Sequence, residues 1–221
     1  MTTTATPSTT PKPFAPHPGR GRFNSLFFAG MGGYINWHMR KQKSTAFAGL
    51  PANVVEIGAG VGANLRYLPA GARLTAIEPN PYMHARLTRA ARRRKVDLEI
   101  RGVVAEGIDL PDASSDAVIS SLVLCTVDDP AAVLAEIRRI LRPGGRFSFA
   151  EHVVARPRTP TRWSQRLLRR PWAWVFEGCS CERDLAGLIR SAGFAGVELR
   201  PYRIHSPFVP FNTHIAGTAI A

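Results

Sequence analysis

Three alternating glycines, Gly58, Gly60 and Gly62, follow the run Val54-Val55-Glu56-Ile57 and lead into a helix-compatible stretch. Glycine at such a turn lets the backbone bend tightly and brings main-chain N–H groups within contact distance of a ligand that a Cβ would hold off. The spacing satisfies a relaxed G-x-G-x-x-[GA] pattern, common to several nucleotide-binding folds, so a dinucleotide site is one reading of it. The next apolar run ends at Glu78, about twenty residues beyond the first glycine, where a carboxylate can accept from both hydroxyls of a ribose. The alternative is that Glu78 only caps the helix opening near Pro81. Three cysteines, Cys125, Cys179 and Cys181, are too few for a disulfide framework and odd in number, which points to a reducing, cytoplasmic setting. A metal site built from them with His152 lacks the paired spacing of zinc ligands, so buried inert thiols and no metal are expected.

The elements that must hold these groups alternate. Short β-branched runs over residues 54–57, 73–77, 98–103, 116–121, 146–150, 197–200 and 214–219 read as strands, and residues 63–68, 81–95, 130–141 and 181–192 as helices. That order predicts an α/β fold, a mostly parallel sheet with helices on both faces. In the 130–141 segment Pro130 suits a first helical turn, Asp128 or Asp129 supplies the N-cap, and Val133, Leu134, Ile137, Ile140 and Leu141 recur at helical spacing. Residues 1–21 are basic, rich in Thr and Pro and free of carboxylates, and read as a disordered tail. Residues 22–221 then form a single domain, in which 22–45 is a helical lead-in with aromatic faces and 151–180 an insertion serving as lid or acceptor element. The insertion interleaves Trp163, Trp172 and Trp174 with arginines, a composition that suits either a cover over an apolar pocket or a water–lipid interface.

Length and charge set the outer bounds. A chain of 221 residues buries one sizeable core, and its 29 Lys plus Arg against 16 Asp plus Glu, a formal +13, permit contact with an anionic membrane or a nucleic acid. No apolar run reaches the roughly 18 residues of a membrane-spanning helix, and the composition, 45% hydrophobic, is that of a globular protein.

The motifs downstream of the glycine loop narrow the reading. Leu110-Pro111-Asp112-Ala113-Ser114-Ser115-Asp116-Ala117-Val118, then Asp128-Asp129-Pro130, then Glu136-Ile137-Arg138-Arg139-Ile140-Leu141-Arg142-Pro143-Gly144-Gly145 resemble, with the glycine loop, the class I S-adenosylmethionine-dependent methyltransferases. Leu122-Val123-Leu124-Cys125, Glu151-His152-Val153, Gly178-Cys179 and His214-Ile215-Ala216-Gly217 are similar to the branch that includes membrane-associated alkyl-thiol S-methyltransferases. The resemblance implies a Rossmann-like seven-stranded sheet whose last strand, near residues 214–219, runs antiparallel. It implies S-adenosylmethionine as cofactor and a small apolar acceptor, a thiol first and a phospholipid or other small N- or O-acceptor second.

By the same resemblance Gly58, Gly60 and Gly62 cradle the methionyl part, Glu56 organises the loop, Glu78 holds the ribose, and Pro79 and Met83 pack near the adenine. Ala105 and Glu106 meet the adenine edge, where Val104 replaces the Asp of many relatives, and Ser121 presents its carbonyl to the amino group. His152, just past the fifth strand, is the first candidate for a base that deprotonates a thiol, and His214 the second. Nucleic-acid methylation is disfavoured, because Ser120-Ser121-Leu122-Val123 stands where base-amine methylases carry an Asn/Asp-Pro-Pro-aromatic signature.

Overall fold

The computed structural model describes residues 17–221, so the tail expected over residues 1–21 lies outside the described residues up to position 16. From Pro18 onward the chain is helical: α1 (Pro18–Ala46) begins inside the stretch read as tail, with Pro18 in its first turn, and runs through the whole lead-in.

Seven strands follow: β1 (Asn53–Ile57), β2 (Arg73–Ile77), β3 (Asp97–Arg101), β4 (Ser115–Ser121), β5 (Leu141–His152), β6 (Gly196–Arg203) and β7 (Thr213–Ile220). They form one sheet in the order β3-β2-β1-β4-β5-β7-β6. β1 to β5 pair in parallel, and β7 runs antiparallel to both β5 and β6. The expected antiparallel last strand is therefore present.

The remaining helices are α2 (Pro81–Arg94), α3 (Pro130–Ile140), α4 (Pro160–Val175) and α5 (Leu185–Ser191). Two expected helices shrink. Residues 63–68 form a turn and one 3-10 segment, Leu65–Tyr67, and the last helix opens at Leu185 rather than 181, capped by the Asp184 side chain on the Gly187 amide.

Alternation along each strand sorts the core into two layers. Met39 and Phe47 from the α1 region and Leu87 and Ala91 from α2 pack with Val54, Leu74, Ala117 and Ile119 on one face. On the other, Val133 and Ile137 of α3 and Leu185 and Ile189 of α5 pack with Val55, Val118, Phe147 and Phe149. α3 is fixed at both ends. Asp129 accepts from the amides of Ala131 and Ala132, and the Arg139 guanidinium donates to the Ile108 and Leu110 carbonyls as well as to Asp112 and Glu136. The Leu110-Pro111-Asp112 motif is thus the loop that Arg139 ties down. α4 lies beyond the carboxyl ends of the strands, next to α1: Asn24 Nδ2 donates to the Val175 carbonyl at 2.9 Å.

Candidate active site

The carboxyl ends of β1, β2 and β4 open on a cavity of ≈ 330 Å³ beneath α1 and α4. At one end stands the glycine loop. Gly58 takes φ 63°, and a Cβ there would collide with Val123; Gly60 takes φ 56°, and a Cβ there would meet nothing within 4 Å. The two glycines serve different needs, close packing of backbone on side chain at Gly58 and a clear face toward the cavity at Gly60. Gly62 stands behind the loop, where a Cβ would press on Leu65 and α2. Glu78, 6% exposed at the end of β2, closes the loop: its carboxylate accepts from the Gly60 amide at 2.7 Å and from the Asn80 amide at 2.9 Å. Burial raises the Glu78 carboxyl above its ordinary value against those two bonds.

A buried polar chain braces this loop from behind. Glu56 on β1 accepts from Asn64 Nδ2 at 2.7 Å, and the Lys43 ammonium of α1 donates to Asn64 Oδ1 at 2.9 Å and to Asn36 Oδ1 at 3.0 Å. Burial pushes Glu56 up to about 7 and Lys43 down to about 8, each held back by the other's charge. Lys43, Asn36 and Asn64 line the cavity, while Glu56 does not.

The opposite end is apolar. Phe27 and Phe28 of α1, Trp172 and Phe176 at the end of α4, and Phe208 and Phe211 before β7 wall it. Its floor is the loop after β4. Leu122 there holds φ 62°, a left-handed conformation costing about 1 kcal/mol or more in a non-glycine residue. Glu151 secures that turn by accepting from the Val123 amide at 2.9 Å and the Ser120 hydroxyl at 2.6 Å, and burial raises this carboxyl to about 7. Cys125 and Cys179 face the cavity with their sulfurs 3.4 Å apart.

Comparison with known proteins matches residues 55–149 to the methyltransferase domain family. Over 171 residues the chain is 36% identical to the human thiol S-methyltransferase TMT1B, covering 76% of this chain and 70% of the relative. The chain belongs to the class I S-adenosylmethionine-dependent methyltransferases. The human thiol S-methyltransferase TMT1A is also 36% identical, over 172 residues with the same coverage. Among solved structures, an S-adenosylmethionine-dependent methyltransferase from Aquifex aeolicus superimposes with a TM-score of 0.61 at 14% identity, covering 94% of this chain and 100% of its own, which supports the fold.

The cofactor of this methyltransferase is S-adenosylmethionine, and the cavity fits it. The clear face of Gly60 gives a ligand main-chain contact, and the Ser121 hydroxyl is buried at the wall without a partner. Of the residues expected to hold the cofactor, Gly58, Gly60, Glu78, Pro79, Met83, Ala105, Glu106 and Ser121 line the cavity, whereas Glu56 and Gly62 support the loop from behind. The Glu106 carboxylate accepts from the Asp128 and Asp129 amides at 2.9 and 3.2 Å, both through Oε1.

The two histidines lie elsewhere. Both are fully buried, and neither lines the cavity. The His152 Nε2–H donates to the Pro210 carbonyl at 2.8 Å, so its Nδ1 is the free acceptor and faces Cys179 Sγ at 3.8 Å. Cys179, which lines the cavity, thus stands at the nitrogen that a base at His152 would use. Among the described residues His214 has no hydrogen-bond partner at either nitrogen, and burial, with the nearby His152 and Lys43, lowers it well below its ordinary value, so it is held neutral among Tyr202, Phe211 and His152.

Lys43, Asn36 and Asn64 were not legible as site residues. They project from the inward face of α1 and from the turn after the glycine loop, and a polar inward stripe carries no hydrophobic periodicity. Among the described residues no helix is long and apolar enough to cross a membrane.

Proposed function

We propose that this methyltransferase transfers the methyl group of S-adenosylmethionine to the sulfur of a small apolar thiol. The observation that carries the reading is the aromatic acceptor end of the cavity, continuous with the glycine-loop end and lined by Cys125 and Cys179. The 36% identity to two human thiol S-methyltransferases supports the same acceptor. A thiol brings no charge that the wall must solvate until it ionises, and a thiolate is the stronger nucleophile.

The bound sulfonium supplies the electrophilic methyl group. The chain has to align the two sulfurs and keep water out. Glu78 and the Gly58–Gly60 turn orient the cofactor, and Phe27, Phe28, Trp172, Phe176, Phe208 and Phe211 confine the acceptor. An anionic nucleophile meeting a cation disperses charge as the new bond forms, so a dry apolar chamber favours the step. His152 acts on this chamber through the thiols it faces and is a positioning residue.

The outer face of α4 exposes Trp163, Leu167 and Trp174 between Arg166, Arg169 and Arg170, and this supports peripheral contact with an anionic membrane. Labelled S-adenosylmethionine offered with a panel of alkyl thiols, phenols, amines and aminophospholipid vesicles tests the proposal. Methylation of alkyl thiols is expected. Turnover of an amine lipid with every thiol inert would replace the reading with head-group N-methylation.

A further inference from the structure

The sequence places Cys179 two positions from Cys181, but the fold pairs Cys179 with a thiol 54 positions away. Cys125 from the loop after β4, His152 from the end of β5 and Cys179 from the loop after α4 converge, so that Sγ, Nδ1 and Sγ all lie within 4.8 Å of one another. We propose that these three residues form a binding site for a soft divalent cation, zinc foremost, whose fourth position opens on the acceptor end of the cavity. The inference rests on the thiol reading for its chemistry and on geometry alone for the site.

Four features of the cluster fit a cation. First, the spacings suit it: with Zn–S of about 2.3 Å and Zn–N of about 2.0 Å, tetrahedral ligand atoms stand about 3.5 to 3.8 Å apart. The observed Cys179 Sγ to His152 Nδ1 distance is 3.8 Å and the two sulfurs are 3.4 Å apart, so small rotations complete the set. Second, the imidazole is fixed in the required tautomer. His152 Nε2–H is given to the Pro210 carbonyl, which also accepts from Gln165 Nε2 at 3.0 Å, and Nδ1 keeps its lone pair for a metal. Third, the indole N–H of Trp172 donates to Cys179 Sγ at 3.4 Å, so a donor outside the cluster already orients that sulfur. Fourth, access exists, since both thiols line the cavity while His152 stands behind them.

Two thiolates, a neutral imidazole and a divalent cation sum to no net charge, which an apolar chamber tolerates far better than a lone thiolate. Three protein ligands and one open position is the arrangement of zinc sites that act on a bound substrate. An acceptor R–SH entering that position would release its proton to bulk solvent through the open side of the cavity and be held as thiolate. Its sulfur then forms the new bond to the methyl carbon as the carbon–sulfonium bond breaks, and that electron pair stays on the departing S-adenosylhomocysteine sulfur. The thioether product is neutral, a weaker ligand, and leaves.

The test uses the full chain, reduced and stripped with a chelator, then titrated with cobalt(II) as an optical probe and with zinc in competition. One metal per chain is expected, with thiolate-to-cobalt charge-transfer absorption and the intense visible bands of a tetrahedral ion. Cys125→Ser and Cys179→Ser should each lose charge-transfer intensity, and His152→Gln should weaken zinc at least about tenfold. Cofactor binding should stay within about threefold in all three, which shows that they fold. Absence of the cobalt bands in the reduced wild-type chain overturns the site. Full-rate thiol methylation by zinc-free protein overturns its role in the reaction and leaves the thiol reading standing. Metal bound with every thiol inert keeps the site and removes the thiol acceptor instead.

Discussion

The two ends of the cavity are built by opposite means. At the glycine-loop end the contiguous stretch from Asn53 to Asn80 supplies the loop, Glu56, Asn64 and Glu78, α1 adds Lys43, and their polar groups are largely paired: Gly60 with Glu78, Asn64 with Glu56 and Lys43. At the acceptor end the wall is assembled from α1, the loop after β4, the end of α4 and the segment before β7, and ring faces dominate it, with Asn24, Thr126, Glu177 and Ser206 set among them. A site made of directed hydrogen bonds fixes one ligand, whereas a site made of ring faces admits a class of them.

The sharpest way to break this contrast is Glu78→Ala. If the carboxylate accepts from two ribose hydroxyls, each charged bond is worth about 1.5 to 3 kcal/mol, and cofactor affinity should fall at least about 10²-fold. Calorimetric titration with S-adenosylhomocysteine measures this. An unchanged affinity would leave Glu78 as a brace for the Gly60 amide alone.

The buried brace gives the next effect, near 2 kcal/mol. Lys43→Met leaves Asn36 Oδ1 and Asn64 Oδ1 without their donor, a cost of about 1 to 3 kcal/mol each before relaxation. Its pH signature is distinct. Glu56 and Glu151 stand at about 7, above their ordinary value of 4.5, so the folded chain binds more protons than the unfolded one between those values. Their contribution, complete below about 4.5, is lost as pH rises through about 7. Lys43 is lowered from 10.5 to about 8, so the unfolded chain binds more protons in that window and stability recovers from about pH 8, until above about pH 9 the buried thiols of Cys125 and Cys181, both raised in the fold, draw it down again. Urea midpoints against pH should therefore dip near neutrality, and Lys43→Met should erase the alkaline recovery. A monotonic profile in both proteins would contradict the brace.

This contrast also explains what the sequence disclosed. The glycine loop, Glu78 and the strands around them obey local spacing rules, so the mostly parallel sheet and the loop at its edge are legible from residues a few positions apart, whereas the antiparallel course of β7 followed from the family resemblance and not from local pattern. Lys43 is not legible in that way: of its two partners, Asn64 lies outside its helix and Asn36 two turns back along it, and the lysine replaces the apolar residue that a helix normally turns inward. His152 was found by position, yet its direction was invisible: only the fold shows that Nε2 is spent on Pro210 and that Nδ1 meets a thiol. The Cys125–Cys179 meeting is likewise a product of topology, since sequence proximity favours Cys179 and Cys181.

A smaller effect belongs to the acceptor end. Trp172→Ala removes one wall of the chamber together with the N–H donor to Cys179, and the KM for an apolar thiol should rise about tenfold, near 1.4 kcal/mol, with the cofactor Kd unchanged. Equal losses in both constants would mean that the two ends are not independent.

The smallest effect divides α4 itself, whose inner side carries Trp172 and whose outer side exposes Trp163 at 70% and Trp174 at 65%. Exposed side chains away from any buried contact contribute within about 0.5 kcal/mol. The double substitution Trp163→Ser and Trp174→Ser should therefore leave thermal stability and turnover of a water-soluble thiol within about twofold. Binding to vesicles of anionic phospholipid should fall more, because an interfacial helix loses its indole anchors while its arginines remain. Sedimentation with vesicles at low and moderate salt separates the two contributions, since the arginine share is screened and the indole share is not. Loss of soluble turnover in the double variant would place the outer face in the acceptor chamber's machinery, and undiminished vesicle binding would assign membrane contact to the arginines alone.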